Sequence, residues 1–189
     1  STPGFDLLSE TSMAVCAQTL SKQAPFHLVL DATGVLMLNG CSPEKRLQEL
    51  DADHVLKLLH INAVGPSLLL KHFGPLLASG ERVIWGKLSA RVGSIEDNRK
   101  GGWYSYRASK AALNMLLQTA AIEIARRRPL AVVAALQPGT VKSPLSQPFV
   151  GDDAMAPEAS ALRLLHVLDA LESTGRAQFV DHAGHPIDW

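Results

Sequence analysis

Residues 101–117 read "GGWYSYRASKAALNMLL", and their apolar positions recur at helical spacing inside a longer stretch, 103–128. That pattern predicts a helix. Upstream stands "ERVIWG" (81–86) and downstream "AVVAAL" (131–136), short apolar and β-branched runs that predict strands. Two strands joined through a helix run parallel. The same alternation recurs around this unit, with "FHLVLDA" (26–32) and "AQFVD" (177–181) as further strands and helical patterns over 10–22, 43–78 and 157–172. No internal repeat interrupts it. The expected architecture is one α/β domain, 1–189, built on a parallel sheet.

Ser42 before Pro43, and Pro157 opening "PEASALRLL", match the preference for proline in a first helical turn. Gly65-Pro66 and Gly74-Pro75 predict that the 43–78 segment is bent or in two pieces. In parallel α/β sheets ligands bind outside the carboxyl ends of the strands, which directs attention to 32–34, 86–94 and 137–143. Each of these loops contains glycine.

The 189 residues are 47% hydrophobic, enough for a sizeable core and too apolar for a disordered chain. Eighteen basic residues balance eighteen acidic ones, so no overall field favours nucleic acid or an anionic membrane. The expected partners are a small-molecule substrate and other protein chains. Cys16 and Cys41 share no metal-ligand spacing, so no metal site is expected, and so few cysteines suit a reduced, cytoplasmic setting. No apolar run approaches the ~20 residues that span a bilayer. The opening "STPGFDLLSE" lacks the features of a signal peptide, and its "FDLL" reads like the end of a strand.

Tyr106 and Lys110 stand four apart on the predicted helix and so share a face. An ammonium about 4 Å from a phenol, at an effective dielectric near 20, contributes about 4 kcal/mol toward the phenolate. That predicts a phenol pKa lowered by roughly three units, toward the range of general acid–base catalysis. Tyr104, six positions from Lys110, is expected to point elsewhere.

Together these residues resemble the short-chain dehydrogenase/reductases, and within them the C-factor-like and sniffer-like carbonyl reductases. "YRASKAALN" resembles the family's active-site helix, which implies Tyr106 as the acid–base residue and Lys110 as its partner on the nicotinamide ribose. "LLHINAVGP" resembles the N-x-x-G stretch, which implies that Asn62 holds a water in a proton relay. "LDATGVL" resembles the Asn-Asn-Ala-Gly turn, placing Ala32 and Gly34 beside the adenosine half of the cofactor, and Asp6 resembles the aspartate that caps the adenine pocket. "LQPGTVKSPL" resembles the Pro-Gly loop that meets the nicotinamide, here Pro138, Gly139, Val141 and Ser143. The resemblance implies a Rossmann-type doubly wound sheet in three α/β/α layers. It also implies NAD or NADP as cofactor, with NADP favoured, and hydride transfer between cofactor and a carbonyl or alcohol. A homodimer or homotetramer paired through 43–78 and 103–128 is expected on the same ground.

Two departures stand out. The family's catalytic serine sits three residues before a glycine, but Ala90 holds that place before Gly93, with Ser89 and Ser94 on either side. Ser94, twelve residues before Tyr106, has the better separation, and the alternative for either serine is a hydroxyl capping a turn. Further, no G-x-x-x-G-x-G or G-x-G-x-x-G occurs, so the family's N-terminal βαβ portion, whose glycine turn lays a pyrophosphate on a helix N-terminus, is expected to be absent from this chain. Two alternatives therefore stand beside the oxidoreductase: a non-catalytic binding or signalling protein of the same fold, and an epimerase or dehydratase sharing Tyr-x-x-x-Lys.

The remaining conspicuous features have plainer readings. "HAGH" (182–185) reads as a hydrogen-bonded turn, and "ARRRP" (125–129) as a solvated helix end whose dipole favours cations. Trp103 either lines a pocket or packs the helix start.

Overall fold

In the computed structural model, residues 4–38, 40–143, 145–147 and 154–189 are described. Four parallel strands, β1 (Leu28–Asp31), β2 (Val83–Leu88), β3 (Ala131–Gln137) and β4 (Ala177–Asp181), lie side by side in chain order. Successive residues of a strand face opposite sides of a sheet, and β2, β3 and β4 are buried on both, whereas β1 leaves Leu28 and Leu30 exposed. Val83, Trp85, Val133, Ala135 and Phe179 pack on one side with α1 (Glu10–Leu20), α3 (Gly65–Phe73) and α4 (Tyr104–Ala125). On the other side Ile84, Val132, Ala134, Leu136 and Val180 pack against α5 (Pro157–Ala170). The result is a three-layer, Rossmann-type α/β/α arrangement. No helix among the described residues is long and apolar enough to cross a membrane.

Pro157 does open α5, but Ser42-Pro43 opens nothing. The helical segment begins instead at α2 (Ala52–Leu59), where the Asp51 carboxylate accepts from His54 N at 2.8 Å. Ahead of it, Glu49 accepts from Lys45 N and Arg46 Nε at 2.8 and 2.9 Å, which closes a short 3₁₀ turn, Leu47–Glu49, in place of the expected first helical turns. The predicted break at Gly65-Pro66 is a π turn, His60–Val64, in which Gly65 N donates to His60 O. Pro66 has no N–H for the carbonyl four residues back, so the regular ladder cannot run through this point.

The end of the sheet away from the C-terminal loops is fastened by arginines. Arg82, just before β2, donates to the carbonyls of Leu168, Asp169 and Leu171 at 2.8–3.0 Å, closing the end of α5. Arg128, before β3, donates to Ala78 O and Leu77 O at 3.1 and 3.2 Å. Arg128 of the "ARRRP" run is thus a structural fastener, while Arg126 and Arg127 are exposed.

Candidate active site

The loops after β1 and β2 meet the first turns of α4. That helix starts from Trp103, a non-glycine residue at φ 55°, following Gly101 and Gly102, both at φ 65°. From the loop after β1, Glu44 accepts from Ser105 N at 3.3 Å and from the Ser105 hydroxyl, and its carbonyl accepts from Trp103 N. The Trp103 ring meets that of Tyr106 edge-on, with centroids 6.2 Å apart.

Tyr106 and Lys110 are 7% and 3% exposed, whereas Tyr104 is 37% exposed and points elsewhere. Lys110 Nζ lies 5.7 Å from the centroid of the Tyr106 ring and donates to Leu88 O at 3.2 Å, at the end of β2. The 3₁₀ turn Arg91–Gly93 presses on this helix so closely that a Cβ at Gly93 would lie 2.8 Å from Lys110 Cβ. A Cβ at Gly34, φ +147°, would lie 3.2 Å from Asn62 Oδ1 and 3.4 Å from Lys110 Nζ. The missing side chain lets the backbone of this turn pass close to the Lys110 amine and the Asn62 amide oxygen.

The expected depression of the phenol pKa is reversed. Burial pushes Tyr106 up to about 12 and Lys110 down to about 7. Desolvation disfavours phenolate and ammonium alike. For Lys110 the next cause is the neighbouring Lys87, opposed by Asp31.

Asn62 grips the turn after β1: its Oδ1 accepts from Val35 N at 2.8 Å, and its Nδ2 donates to Val35 O at 2.8 Å and Ser109 Oγ at 3.1 Å. Both amide hydrogens are therefore committed to protein atoms. Ser89 donates to Asn114 Oδ1 at 2.7 Å, while Ser94 accepts from Asp97 N at 2.9 Å, the turn-capping bond weighed from sequence. Ala32 is exposed at the end of β1. In the loop after β3, Pro138 O accepts from Ser160 Oγ at 2.8 Å, and a Cβ at Gly139, φ +82°, would lie 3.3 Å from His182 Nδ1. Val141 bridges to Met155, and Ser143 and Ser146 hydroxyls lie 3.1 Å apart. Asp6 stands apart from this group, in an exposed turn where its carboxylate accepts from Leu8 N at 2.9 Å.

Sequence reasoning missed a buried pair. Lys87 Nζ lies 3.1 Å from Asp31 Oδ1, and their side chains are 0% and 3% exposed. The strand had been expected to stop at Gly86; it runs on through Lys87 to Leu88, which carries the lysine into the sheet. The signal was a charge directly after an apolar run. Glu44, also buried, left no local pattern because its partners are 61 residues away.

Residues 6–177 match the family model described as enoyl-(acyl carrier protein) reductase. The chain is 34% identical over 191 residues to 1-hydroxy-2-glutathionyl-2-methyl-3-butene dehydrogenase of Rhodococcus sp. (strain AD45), covering 99% of this chain and 79% of that protein. It is 32% identical over 145 residues to C-signal of Myxococcus xanthus, covering 76% and 83%. Among solved structures it superposes on a short-chain dehydrogenase/reductase from Burkholderia multivorans with bound NADP, with TM-score 0.83 and 25% identity over 98% of this chain and 75% of that one. The carbonyl reductase Sniffer of D. melanogaster shares the fold, with TM-score 0.83 and 23% identity over 98% and 76%. The chain belongs to the short-chain dehydrogenase/reductase family.

Proposed function

We propose that the chain is an NAD(P)-dependent oxidoreductase that interconverts a carbonyl and an alcohol. The observation that carries this reading is the buried Tyr106–Lys110 pair at the carboxyl end of a parallel sheet, with the glycine turn at Gly34 set against the lysine. Gly34, Ala32, Lys110, Pro138, Gly139, Val141 and Ser143 would hold the dinucleotide, with Asp6 toward its adenine end. NADP is favoured over NAD by the family resemblance and by the NADP in the Burkholderia relative. When bound, the nicotinamide supplies or accepts the hydride.

The protein's own part is proton handling. A phenol held near 12 is protonated at neutral pH, so Tyr106 is ready to donate to a carbonyl oxygen as negative charge develops there. Lys110, when protonated, stabilises the phenolate left behind. Ser94 spends its oxygen on Asp97 N and keeps its hydrogen for a substrate oxygen, whereas the Ser89 hydrogen goes to Asn114; Ser94 is therefore the better candidate to hold the carbonyl. With both amide hydrogens engaged, Asn62 acts first by fixing the turn 33–35 against Lys110, and a water relay would run past it to the lysine.

The test is consumption of NADPH and NADH by the protein with a panel of aldehydes and ketones, repeated with Tyr106→Phe. Loss of about 10²-fold or more in kcat is expected. Unchanged turnover in Tyr106→Phe would sink the proposal. A binding or signalling protein, the reading the C-signal match favours, would instead show no turnover in either form.

A further inference from the structure

Two buried ammonium groups approach one four-residue turn from two sides. Lys87, in register with Asp31 on the neighbouring strand, donates to Asp31 Oδ1 at 3.1 Å, to Thr33 Oγ1 at 3.2 Å and to Thr33 O, which uses all three of its hydrogens. Asp31 Oδ1 also accepts from Thr33 N and Thr33 Oγ1 at 2.9 and 2.6 Å. One residue further on, Gly34 turns its bare Cα toward Lys110 Nζ, and Lys110 itself bonds the carbonyl of Leu88, next in the chain to Lys87. Asp31 Oδ2 is buried without a hydrogen-bond partner among the described residues, so the bonds to that carboxylate fall on Oδ1.

We propose that Asp31 and Lys87 are positioning residues that hold the 31–34 turn against Lys110 and bring two opposite charges to bear on its amine. The pair touches no reacting atom and works through Lys110. The ionisable groups on the elements packed against α4 are Asp53, His54 and Lys57 on α2, His60 in the π turn, Lys71 and His72 on α3, Arg91 after β2 and Asp181 on β4, with Glu44 bonded to its first turn. Tyr106 shares the helix with Lys110. The charges that act on Lys110 are nevertheless those of Lys87, which opposes its protonation, and Asp31, which favours it, with Lys87 the stronger. Burial makes this coupling felt, because a shielded charge is screened far less than an exposed one.

The test reads Lys110 directly in the full chain, by following its 13Cε resonance through a pH titration, with the signal assigned from Lys110→Arg. It needs neither cofactor nor turnover, so it stands or falls apart from the oxidoreductase reading. Lys87→Met should raise the Lys110 midpoint and Asp31→Asn should lower it, each on the order of one pH unit. The double variant should sit above wild type and below Lys87→Met. Shifts in the same direction, or none, would overturn the proposal, since mere loosening of the turn cannot move the midpoint both ways. Should a single variant fail to fold, the double variant leaves neither partner charge unpaired and carries the test. There a raised midpoint supports the proposal and an unchanged or lowered one defeats it.

Discussion

Glu44 reaches across the chain to seat the first turn of the helix that bears Tyr106, its carboxylate accepting from both the backbone and the hydroxyl of Ser105. A carboxylate at a helix N-terminus satisfies donors that have no partner within the helix and complements its dipole. Glu44→Ala is expected to lower stability by about 2 kcal/mol, read from the urea midpoint at unchanged slope. Glu44→Gln should lose less, because its amide oxygen still accepts. Equal stability of Glu44→Ala and wild type would mean that this contact does not hold the helix.

Two glycines are set close to Lys110, Gly93 against its backbone and Gly34 against its amine. At Gly93 the new Cβ would stand 2.9 Å from the Lys110 backbone carbon, and helix backbone cannot yield as a side chain can. Gly93→Ala should destabilise by about 1–3 kcal/mol in thermal unfolding. Gly34→Ala adds strain from its positive φ and should weaken fluorescence-detected NADPH binding more than it lowers stability. Undiminished binding would show that the ligand does not lie against this turn.

Stability should follow pH in a direction set by Lys110. Its pKa falls from 10.5 to about 7 on folding, so between those values the unfolded chain holds a proton that the folded chain lacks, and stability rises with pH. Lys87, also lowered mainly by burial, acts the same way. Tyr106, raised from 10.0 to about 12, acts oppositely above its unfolded value, where the unfolded chain loses the phenol proton first. The Tm should therefore climb from about pH 7 to about pH 9.5 and decline beyond about pH 10. Lys110→Met should flatten the climb; an equally steep climb in that variant would assign it to other groups.

The serines are separable by kinetics. Ser94→Ala should reduce kcat/KM by about 10²-fold if its free hydrogen holds the carbonyl oxygen. Ser89→Ala, which breaks a bond to Asn114, should act chiefly on stability. The reverse ranking would move the catalytic role to Ser89.

Pairing through α4 is the expectation for assembly. Met115, Leu116 and Ile122 on that helix are 66%, 40% and 40% exposed, and Leu56 on α2 is 63% exposed. Light scattering should give a homodimer or homotetramer, and Met115→Glu should shift it toward monomer. A wild-type monomer would remove that expectation.

The four strands and the helices starting at Glu10, Tyr104 and Pro157 were readable from the sequence because each has a local cause: β-branched runs, a 3.6-residue period, a proline in a first turn. The start of α2 was misplaced because two signals competed. Pro43 is a permissive start, whereas Asp51 supplies a bond, and the Glu49 bonds had already committed the intervening chain. Of the candidate site, the spacing of Tyr106 and Lys110 was open to reading from the sequence, while Asn62 and the two serines were proposed through the family resemblance. The direction of the Tyr106 shift could not be read there, because it depends on how much water the fold removes from the phenol. Asp31 with Lys87 and Glu44 with Ser105 are long-range pairings that no window of sequence contains.

The two ends of the sheet carry different cations. Arg82 and Arg128 clamp helix-end and loop carbonyls at one end, and a guanidinium keeps its charge at any pH a protein survives. Lys87 and Lys110 lie at the other, each pushed by burial toward losing its charge. Rising pH therefore rewrites the rim that bears the two lysines while the floor stays bolted, and in hydrogen exchange the backbone amides at the amino ends of β2 and β3 should keep their protection over a range in which those of the 31–34 turn do not.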